Sequence, residues 1–260
     1  MLTVEKKDGV ARVTLNRPDV RNAFDDAVIA SLTNCFKEIE KDKSIRVMVL
    51  AGNGPAFCAG ADLNWMKRMA GYGYDQNLAD AQALADMLAT LDRMPKPTIA
   101  RVHGPAFAGG TGLVAACDIA VGTPEAKFCF SEAKLGLSPA TISPHVMRAI
   151  GERAARRYFL TAEVFDAAEA ERIGLLTFSV QKELLDKAID DLLKHLLAGG
   201  PEAMREIKAL IRAVAGRPVD DGLVADTAKR IAEIRVSPEG KEGIASFLEK
   251  RKAAWCSPKS

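Results

Sequence analysis

Apolar and polar residues repeat with two different periods along roughly the first 180 residues of the chain. Apolar residues alternate with polar ones after Asp8-Gly9, a tight-turn signal, so residues 4–15 predict a β-hairpin. Apolar residues spaced by three and four follow Asp25 and Asp26, either of which can cap a helix, and the same spacing recurs over residues 76–93. That spacing predicts two amphipathic helices.

Two short apolar runs, residues 47–50 and 98–102, predict buried strands, and each is followed by a loop rich in small residues. Residues 55–63 form the first loop and residues 103–113 the second. Small residues let a ligand approach the backbone closely, and a helix that starts at Gly109 would offer unpaired N–H groups to an oxyanion. Tight turns that serve helix packing are the alternative interpretation of both loops.

The C-terminal part of the chain has a different pattern, in which helical periodicity is interrupted only by Gly/Pro segments. It predicts four helices, at residues 183–197, 202–214, 220–235 and 241–254. The sequence therefore predicts an α/β body followed by a helical region.

Composition narrows the functional classes. The 260 residues are 48% hydrophobic, and 36 basic residues balance 34 acidic ones, so the net charge is +2. That balance argues against a general nucleic-acid or membrane binder, and no apolar run reaches the ~18 residues of a membrane span. The N-terminus has no signal-peptide core, and the five cysteines are scattered, which favours a reducing, cytoplasmic location.

Common catalytic motifs are missing from the sequence. It has no phosphate loop, no dinucleotide fingerprint, no nucleophile elbow and no metal-ligand spacing, so we expect no metal site. His103, His145 and His195 are far apart, and we expect His103 to bond backbone and His195 to be structural or solvated.

The order of short motifs resembles the enoyl-CoA hydratase/isomerase (crotonase) superfamily over nearly the whole chain. The matching segments are residues 15–24, 57–63, 106–120, 128–132, 135–139 and 247–252. The resemblance implies a crotonase ββα spiral core in residues 1–195, and a C-terminal helical region in residues 196–260 that forms trimers or dimers of trimers. It also implies an acyl-CoA thioester substrate, and no cofactor other than the CoA that the substrate carries.

In this family two backbone N–H groups bind the thioester oxygen, and by position they are those of Ala61 and Gly109. Glu132 matches the second of the family's two catalytic glutamates, and aromatic neighbours would raise its pKa toward acid–base use. The resemblance further assigns substrate or CoA contacts to a group of residues. They are Arg21, Ala23, Ala59, Gly60, Asp62, Leu63, Gly112 and Ala140, with Phe247 and Lys250 reaching a neighbouring subunit. A solvated arginine and an exposed helix face are the alternatives for Arg21 and for the last two.

Gly112 stands where the family has its first catalytic glutamate, 20 residues before Glu132. Three interpretations follow: Glu132 alone shuttles a proton, as in Δ3,Δ2-enoyl-CoA isomerases; the chain hydrates with Glu132 holding the water; or His145, in residues 140–145, supplies the missing group. We also hypothesise that Gly112 makes room for an extra substrate carboxylate and removes a like charge.

The segments around Cys58, Gly112 and Ile142 are similar to bacterial methylglutaconyl-CoA hydratase-like proteins. The leading prediction is hydration of a 2-enoyl-CoA, with a branched 3-methylglutaconyl-CoA type as the candidate substrate. The alternatives are double-bond isomerisation, a family member that has lost catalysis, and RNA binding. Basic clusters at residues 153–157 and 250–252 motivate the last, which the balanced charge disfavours.

Overall fold

In the computed structural model, which describes residues 1–256, nine strands and ten α-helices follow one another through this part of the chain. The strands are β1 (Leu2–Lys7), β2 (Val10–Leu15), β3 (Val47–Gly52), β4 (Thr98–Val102), β5 (Ala106–Phe107), β6 (Ile119–Gly122), β7 (Lys127–Cys129), β8 (Phe165–Asp166) and β9 (Phe178–Ser179). The helices are α1 (Asp26–Lys41), α2 (Leu63–Met69), α3 (Tyr74–Arg93), α4 (Gly109–Ala116), α5 (Ser143–Thr161), α6 (Ala167–Arg172), α7 (Leu185–Ala198), α8 (Pro201–Val214), α9 (Asp221–Val236) and α10 (Pro238–Leu248).

The main sheet has six strands in the order β1-β2-β3-β4-β6-β9. β1 and β2 form the predicted antiparallel hairpin, and the remaining pairs are parallel. A parallel pair needs a crossover connection, and α1 and α3 provide two of these crossovers. The predicted strands at 47–50 and 98–102 are confirmed, and the structure shows that they are neighbours in one sheet.

The sheet is buried on both faces, which explains why its strands are continuous apolar runs. Met48 and Leu50 of β3 face a large core under α1, α3, α4 and α5. Val47 and Val49 face a smaller core that α7 covers with Leu185 and Ile189. Because successive strand residues point to opposite faces, one strand supplies both cores.

Helix α1 begins where the sequence predicts. The Asp25 carboxylate accepts a hydrogen bond from the Val28 N–H at 2.8 Å, which is an N-cap. α3 begins two residues before the predicted start at residue 76 and ends at Arg93 as predicted. Pro95 and Pro97 follow that end.

The C-terminal helices lie close to their predicted positions, except the last. The prediction of a helix over 241–254 is wrong at both ends, because α10 starts at Pro238 and stops at Leu248. Lys250 then adopts the left-handed conformation, with φ at 53°, and Arg251 turns back to pair with Glu242. The division at residue 195 stays a prediction, although the short segment between α7 and α8 lies beside it.

Candidate functional site

Three parallel backbone segments bring the predicted catalytic residues to one edge. Cys58 forms a parallel bridge with Ala106, and Ala106 in turn pairs with Phe128 in the parallel β5–β7 pair. Ala61, Gly109 and Glu132 follow these three segments by three or four residues each. Because the carboxyl ends of parallel segments meet at the same edge, the fold gathers three residues that are far apart in sequence.

The two glycine-rich loops are bonded directly to each other. The Phe107 N–H donates to the Cys58 carbonyl at 2.9 Å, and the Cys58 N–H donates to the Pro105 carbonyl at 3.1 Å. Gly60 has a φ of +93°, and a Cβ there would lie 3.3 Å from the Ala108 Cβ. The loops are thus packed tightly, as the alternative interpretation expected, but the packing also exposes polar backbone groups.

Neither the Ala61 N–H nor the Gly109 N–H donates a hydrogen bond to any group in residues 1–256. The residues on either side of Ala61, Gly60 and Asp62, hydrogen-bond to the main chain of Phe24. The Ala61 N–H therefore points to the side of the backbone opposite Phe24. Gly109 is the first residue of α4, whose first N–H groups have no partner within the helix. Ala108 before it holds φ 47° and ψ −117°, a strained conformation of the kind found at functional sites.

Glu132 lies in a short 3₁₀ helix, Ser131–Leu135, directly after β7. Its Oε2 atom is buried and has no hydrogen-bond partner among the described residues. Burial raises the pKa of the Glu132 carboxyl, since the charged form loses solvation. Phe128 and Phe130, the aromatic neighbours in sequence, are fully buried as the prediction requires, whereas Leu135 is 55% exposed.

The hypothesis that Gly112 makes room for substrate is wrong. Gly112 is buried, and a Cβ there would lie 2.5 Å from the Ile142 Cγ2 atom. Ile142 is itself only 1% exposed and precedes α5. An apolar side chain therefore fills the space next to the position where the family has its first glutamate.

His145 gains no support as a replacement for that glutamate. The charged groups that act on it are Asp92, Arg93 and Arg148, and burial lowers the pKa of its imidazole. Those three residues line a cavity of about 640 Å³ that contains none of the predicted site residues. The other two histidines behave as expected: the His103 ring bonds the Gly54 carbonyl, and His195 is exposed.

The segment around Arg21 is built on a buried polar framework. The Asn22 amide donates to the Asn53 and Ala56 carbonyls at 2.8 and 2.9 Å, and Arg17 donates to the Ala23 carbonyl at 2.7 Å. Arg21 has a φ of 52°, and its side chain is exposed and forms no ion pair within residues 1–256. This geometry leaves its guanidinium available to an anion.

Asp62 has a structural role that the predicted CoA contact did not include. Its carboxylate accepts from the Asn64 and Trp65 N–H groups and so caps α2, and it pairs with Arg17 at 3.2 Å. Burial opposes ionisation, but these donors outweigh it and lower the pKa of Asp62. The carboxylate is thus engaged by partners within the chain, and the CoA contact at Asp62 stays a prediction.

The remaining predicted contacts are divided between the site and the C-terminal helices. Ala59 is partly buried, Gly60 and Ala23 are buried, and Leu63 and Ala140 are exposed. Phe247 is 81% exposed at the end of α10, which packs against α8 and α9. Within one chain Phe247 and Lys250 are thus placed with the C-terminal helices and not with Glu132.

Three residues of this site had no role in the sequence prediction: Arg17, Phe24 and Ile142. Arg17 and Phe24 lie in residues 15–24, one of the segments that carry the resemblance, but only their side-chain contacts show which groups they fix in place.

In residues 1–256 no group of three or more potential metal ligands is found, and none of the helices has the length and apolar character of a membrane span.

Comparison with known proteins yields consistent matches over nearly all of the chain. A family model described as enoyl-CoA hydratase/isomerase matches residues 5–258. The enoyl-CoA hydratase EchA19 of Mycobacterium tuberculosis is 34% identical over 250 residues, which cover 95% of this chain and 93% of that protein.

Solved structures show the same similarity. An enoyl-CoA hydratase from Shewanella pealeana superposes with a TM-score of 0.95 at 43% identity, and covers 98% of this chain and 95% of its own. Pseudomonas aeruginosa AtuE superposes with a TM-score of 0.94 at 35% identity, covering 98% and 99%.

Proposed function

Since this chain belongs to the enoyl-CoA hydratase/isomerase family and has the crotonase fold, we propose that it adds water to the double bond of a 2-enoyl-CoA thioester. One observation carries the proposal. Two backbone donors without partners in residues 1–256, Ala61 N–H and Gly109 N–H, lie at the same edge as the Glu132 carboxyl, whose Oε2 atom is buried and has no partner in the same residues.

The donors act on the thioester oxygen, where negative charge develops when a nucleophile adds to the β-carbon. Removing one such preorganised donor from an enzyme costs ~2.7–4 kcal/mol of transition-state stabilisation. Backbone donors on packed loops need no reorganisation during the reaction. The strained conformation of Ala108 next to Gly109 fits that function.

Glu132 performs the proton transfers. Its carboxylate accepts a proton from water as the water oxygen bonds to the β-carbon, and an enolate forms. The same carboxyl then donates that proton to the α-carbon, so the elements of water are added and Glu132 returns to its first state. A pKa raised by burial suits a group that must both accept and donate near neutral pH.

Double-bond isomerisation is the second candidate, and the position of Ile142 favours it. Ile142 packs on Gly112, and the Asp62 carboxylate next to Ala61 is engaged by the cap of α2 and by Arg17, which leaves Glu132 to carry the proton. A single carboxyl can remove the proton at C2 of a 3-enoyl-CoA and return it at C4. The hydratase names of the relatives favour hydration.

The substrate that we propose is a branched glutaconyl thioester of the 3-methylglutaconyl-CoA type, with CoA carried by the substrate and no further cofactor. Its support is the similarity of the segments around Cys58, Gly112 and Ile142 to methylglutaconyl-CoA hydratase-like proteins.

We propose a trimer, or a dimer of trimers, as the assembly. Helices α8, α9 and α10 leave large apolar side chains exposed in the single chain: Ile207, Ile211, Val224, Ile231, Val236, Ile244, Phe247 and Leu248. Large exposed apolar surfaces mark interaction sites. In a trimer, Phe247 and Lys250 would reach the CoA of a neighbouring subunit.

Enoyl absorbance tests the proposal with 3-methylglutaconyl-CoA, crotonyl-CoA and 3-hexenoyl-CoA. A hydratase removes absorbance from the first two, and an isomerase creates absorbance from the third. Glu132→Gln should abolish either activity, whereas Glu125→Gln, an exposed glutamate seven residues earlier, should not. Wild-type activity only on 3-hexenoyl-CoA would replace hydration by isomerisation, and no activity on any of the three would contradict both.

A further inference from the structure

Phe24 contacts both backbone donors of the site in two different ways. Its main chain bonds on either side of Ala61: the Phe24 N–H donates to the Gly60 carbonyl at 2.7 Å, and the Asp62 N–H donates to the Phe24 carbonyl at 2.6 Å. Those two bonds fix the direction of the peptide groups around Ala61. They turn the Ala61 N–H away from Phe24, toward the open side.

The side chain of Phe24 reaches the second donor. Phe24 is 1% exposed, and a Cβ on Gly109 would lie 2.6 Å from the ring Cε2 atom and 2.9 Å from Cδ2. The ring edge therefore lies directly against the Gly109 backbone. On the next residue of α4, a Cβ on Gly110 would meet the Cys58 carbonyl at 2.5 Å, so this first turn is held from two sides.

The segment that carries Phe24 is itself held at each neighbouring residue. Arg17 donates to the Ala23 carbonyl, the Asn22 amide binds the loop after β3, and Asp25 caps α1. A strained Ala108 precedes Gly109, and the backbone could relax there if the ring were absent.

We propose that Phe24 is a positioning residue that sets the Ala61 and Gly109 N–H groups relative to each other. The proposal rests on the assignment of these two groups as the oxyanion donors. It predicts that a change of the Phe24 side chain moves the Gly109 N–H and weakens polarisation of the thioester carbonyl. Substrate binding through CoA should be little affected.

The test uses a saturated thioester, butyryl-CoA with carbon-13 at the carbonyl, which cannot be hydrated. Infrared difference spectra give the carbonyl band of the bound ligand. In the wild type the band should lie at lower frequency than in solution, and in Phe24→Leu it should return toward the solution position. The kcat for 2-enoyl-CoA hydration should fall by about 10–100-fold with little change in KM.

Two further variants separate positioning from general destabilisation. Phe36→Leu removes the same atoms from another fully buried ring, on α1, and should leave the carbonyl band at the wild-type frequency. Gly109→Ala alone should impair catalysis because its methyl meets the Phe24 ring. Combining it with Phe24→Ala, which vacates that space, should raise kcat above that of Gly109→Ala alone.

The infrared band and the hydration activity together distinguish the positioning role of Phe24 from the proposed reaction. A band in Phe24→Leu equal to that in Phe36→Leu would overturn the positioning role and leave the proposed hydration intact. A wild-type band that shifts and returns toward the solution position in Phe24→Leu, without hydration of any enoyl-CoA, would overturn the proposed reaction while the role of Phe24 stands. An unshifted wild-type band would overturn the donor assignment and the positioning role together.

Discussion

The Ile142 side chain occupies the space into which any side chain at Gly112 would project. The distance from a Cβ on Gly112 to Ile142 Cγ2 would be 2.5 Å, and to Ile142 Cβ 3.0 Å, closer than carbon atoms approach without a shift. The two positions are 30 residues apart and come from α4 and from the start of α5. Their contact determines that the site has an apolar wall where a second carboxyl would otherwise fit.

The contact predicts an unusual response to a glycine-to-alanine change. In a helix this change normally stabilises by about 0.5–1 kcal/mol, and Gly222→Ala in exposed α9 should do so. Gly112→Ala should instead lose about 1–3 kcal/mol, since Ile142 and Leu88 surround the new methyl. Chemical denaturation of both variants, which gives their free energies of unfolding, checks this difference in sign.

Ile142→Ala alone should cost about 2–5 kcal/mol. Combined with Gly112→Ala it should cost less than the sum of the two single losses, because the new methyl then enters space that the isoleucine has left. Additive losses would mean that the two residues do not share this space.

Glu132 should make the stability of the protein depend on pH. Burial raises the pKa of its carboxyl in the folded state above that in the unfolded chain. The folded state then binds the proton more tightly, so this contribution is present below the unfolded pKa and is lost as pH rises through the folded pKa. Glu132→Gln removes the cost of holding a charged carboxylate in a buried position. The Tm of this variant relative to wild type should therefore rise from about pH 4 to pH 8.

Differential scanning fluorimetry across that range measures the effect. Glu125→Gln is the matched control, because a hydrogen bond with Thr123 lowers the pKa of Glu125 and its pH dependence should have the opposite sign. A relative Tm of Glu132→Gln that declines with pH would refute the assignment of a desolvated carboxyl.

The sequence was sufficient for those parts of the fold that depend on local periodicity. The hairpin around Asp8-Gly9, the cap at Asp25 and the strands at 47–50 and 98–102 each carry their signal within a few residues. The resemblance gave Ala61, Gly109 and Glu132, and the parallel segments explain why three distant positions belong together.

Contacts between segments that are distant in sequence could not be predicted from local patterns. The sequence suggested open space at Gly112, because Ile142, which packs against it in the folded chain, is 30 residues away in sequence. The cap and the ion pair of Asp62 with Arg17 were missed because they require α2 and the segment around residue 17 to meet. The end of α10 was missed since the turn at Lys250 depends on the pairing of Arg251 with Glu242.

Arg21 and Asp62 should respond differently to substitution. Arg21 is exposed, so Arg21→Ala should leave Tm within about 1 °C of wild type but raise KM for acyl-CoA, increasingly so at low salt. With an N-acetylcysteamine thioester, which lacks phosphates, the KM of this variant should equal that of wild type. Asp62→Ala should instead lose about 1–2 kcal/mol of stability through the lost cap.

Arg153→Ala, another exposed arginine with no ion pair in the described part of the chain, is the control for charge alone. Equal KM increases for acyl-CoA in Arg21→Ala and Arg153→Ala would show that net charge, and not a phosphate contact at Arg21, is responsible.

Lys208 should anchor the C-terminal helices to the sheet. Its side chain on α8 is 8% exposed, and its Nζ donates to the Asp118 carboxylate at 2.5 Å and to the Lys96 carbonyl at 3.1 Å. The same carboxylate oxygen accepts from the N–H and hydroxyl of Thr98 at the start of β4. Lys208→Met keeps the apolar stem but leaves these acceptors without the ammonium. It should cost about 2 kcal/mol, which for a chain of this size lowers Tm by about 4–8 °C.

Lys194→Met is the control. It removes a lysine of 76% exposure that pairs with Asp191, and exposed pairs contribute little, so the Tm of this variant should stay close to that of wild type. Equal losses in the two variants would show that burial of Lys208 adds nothing, and that α8 is held to the body by its apolar contacts alone.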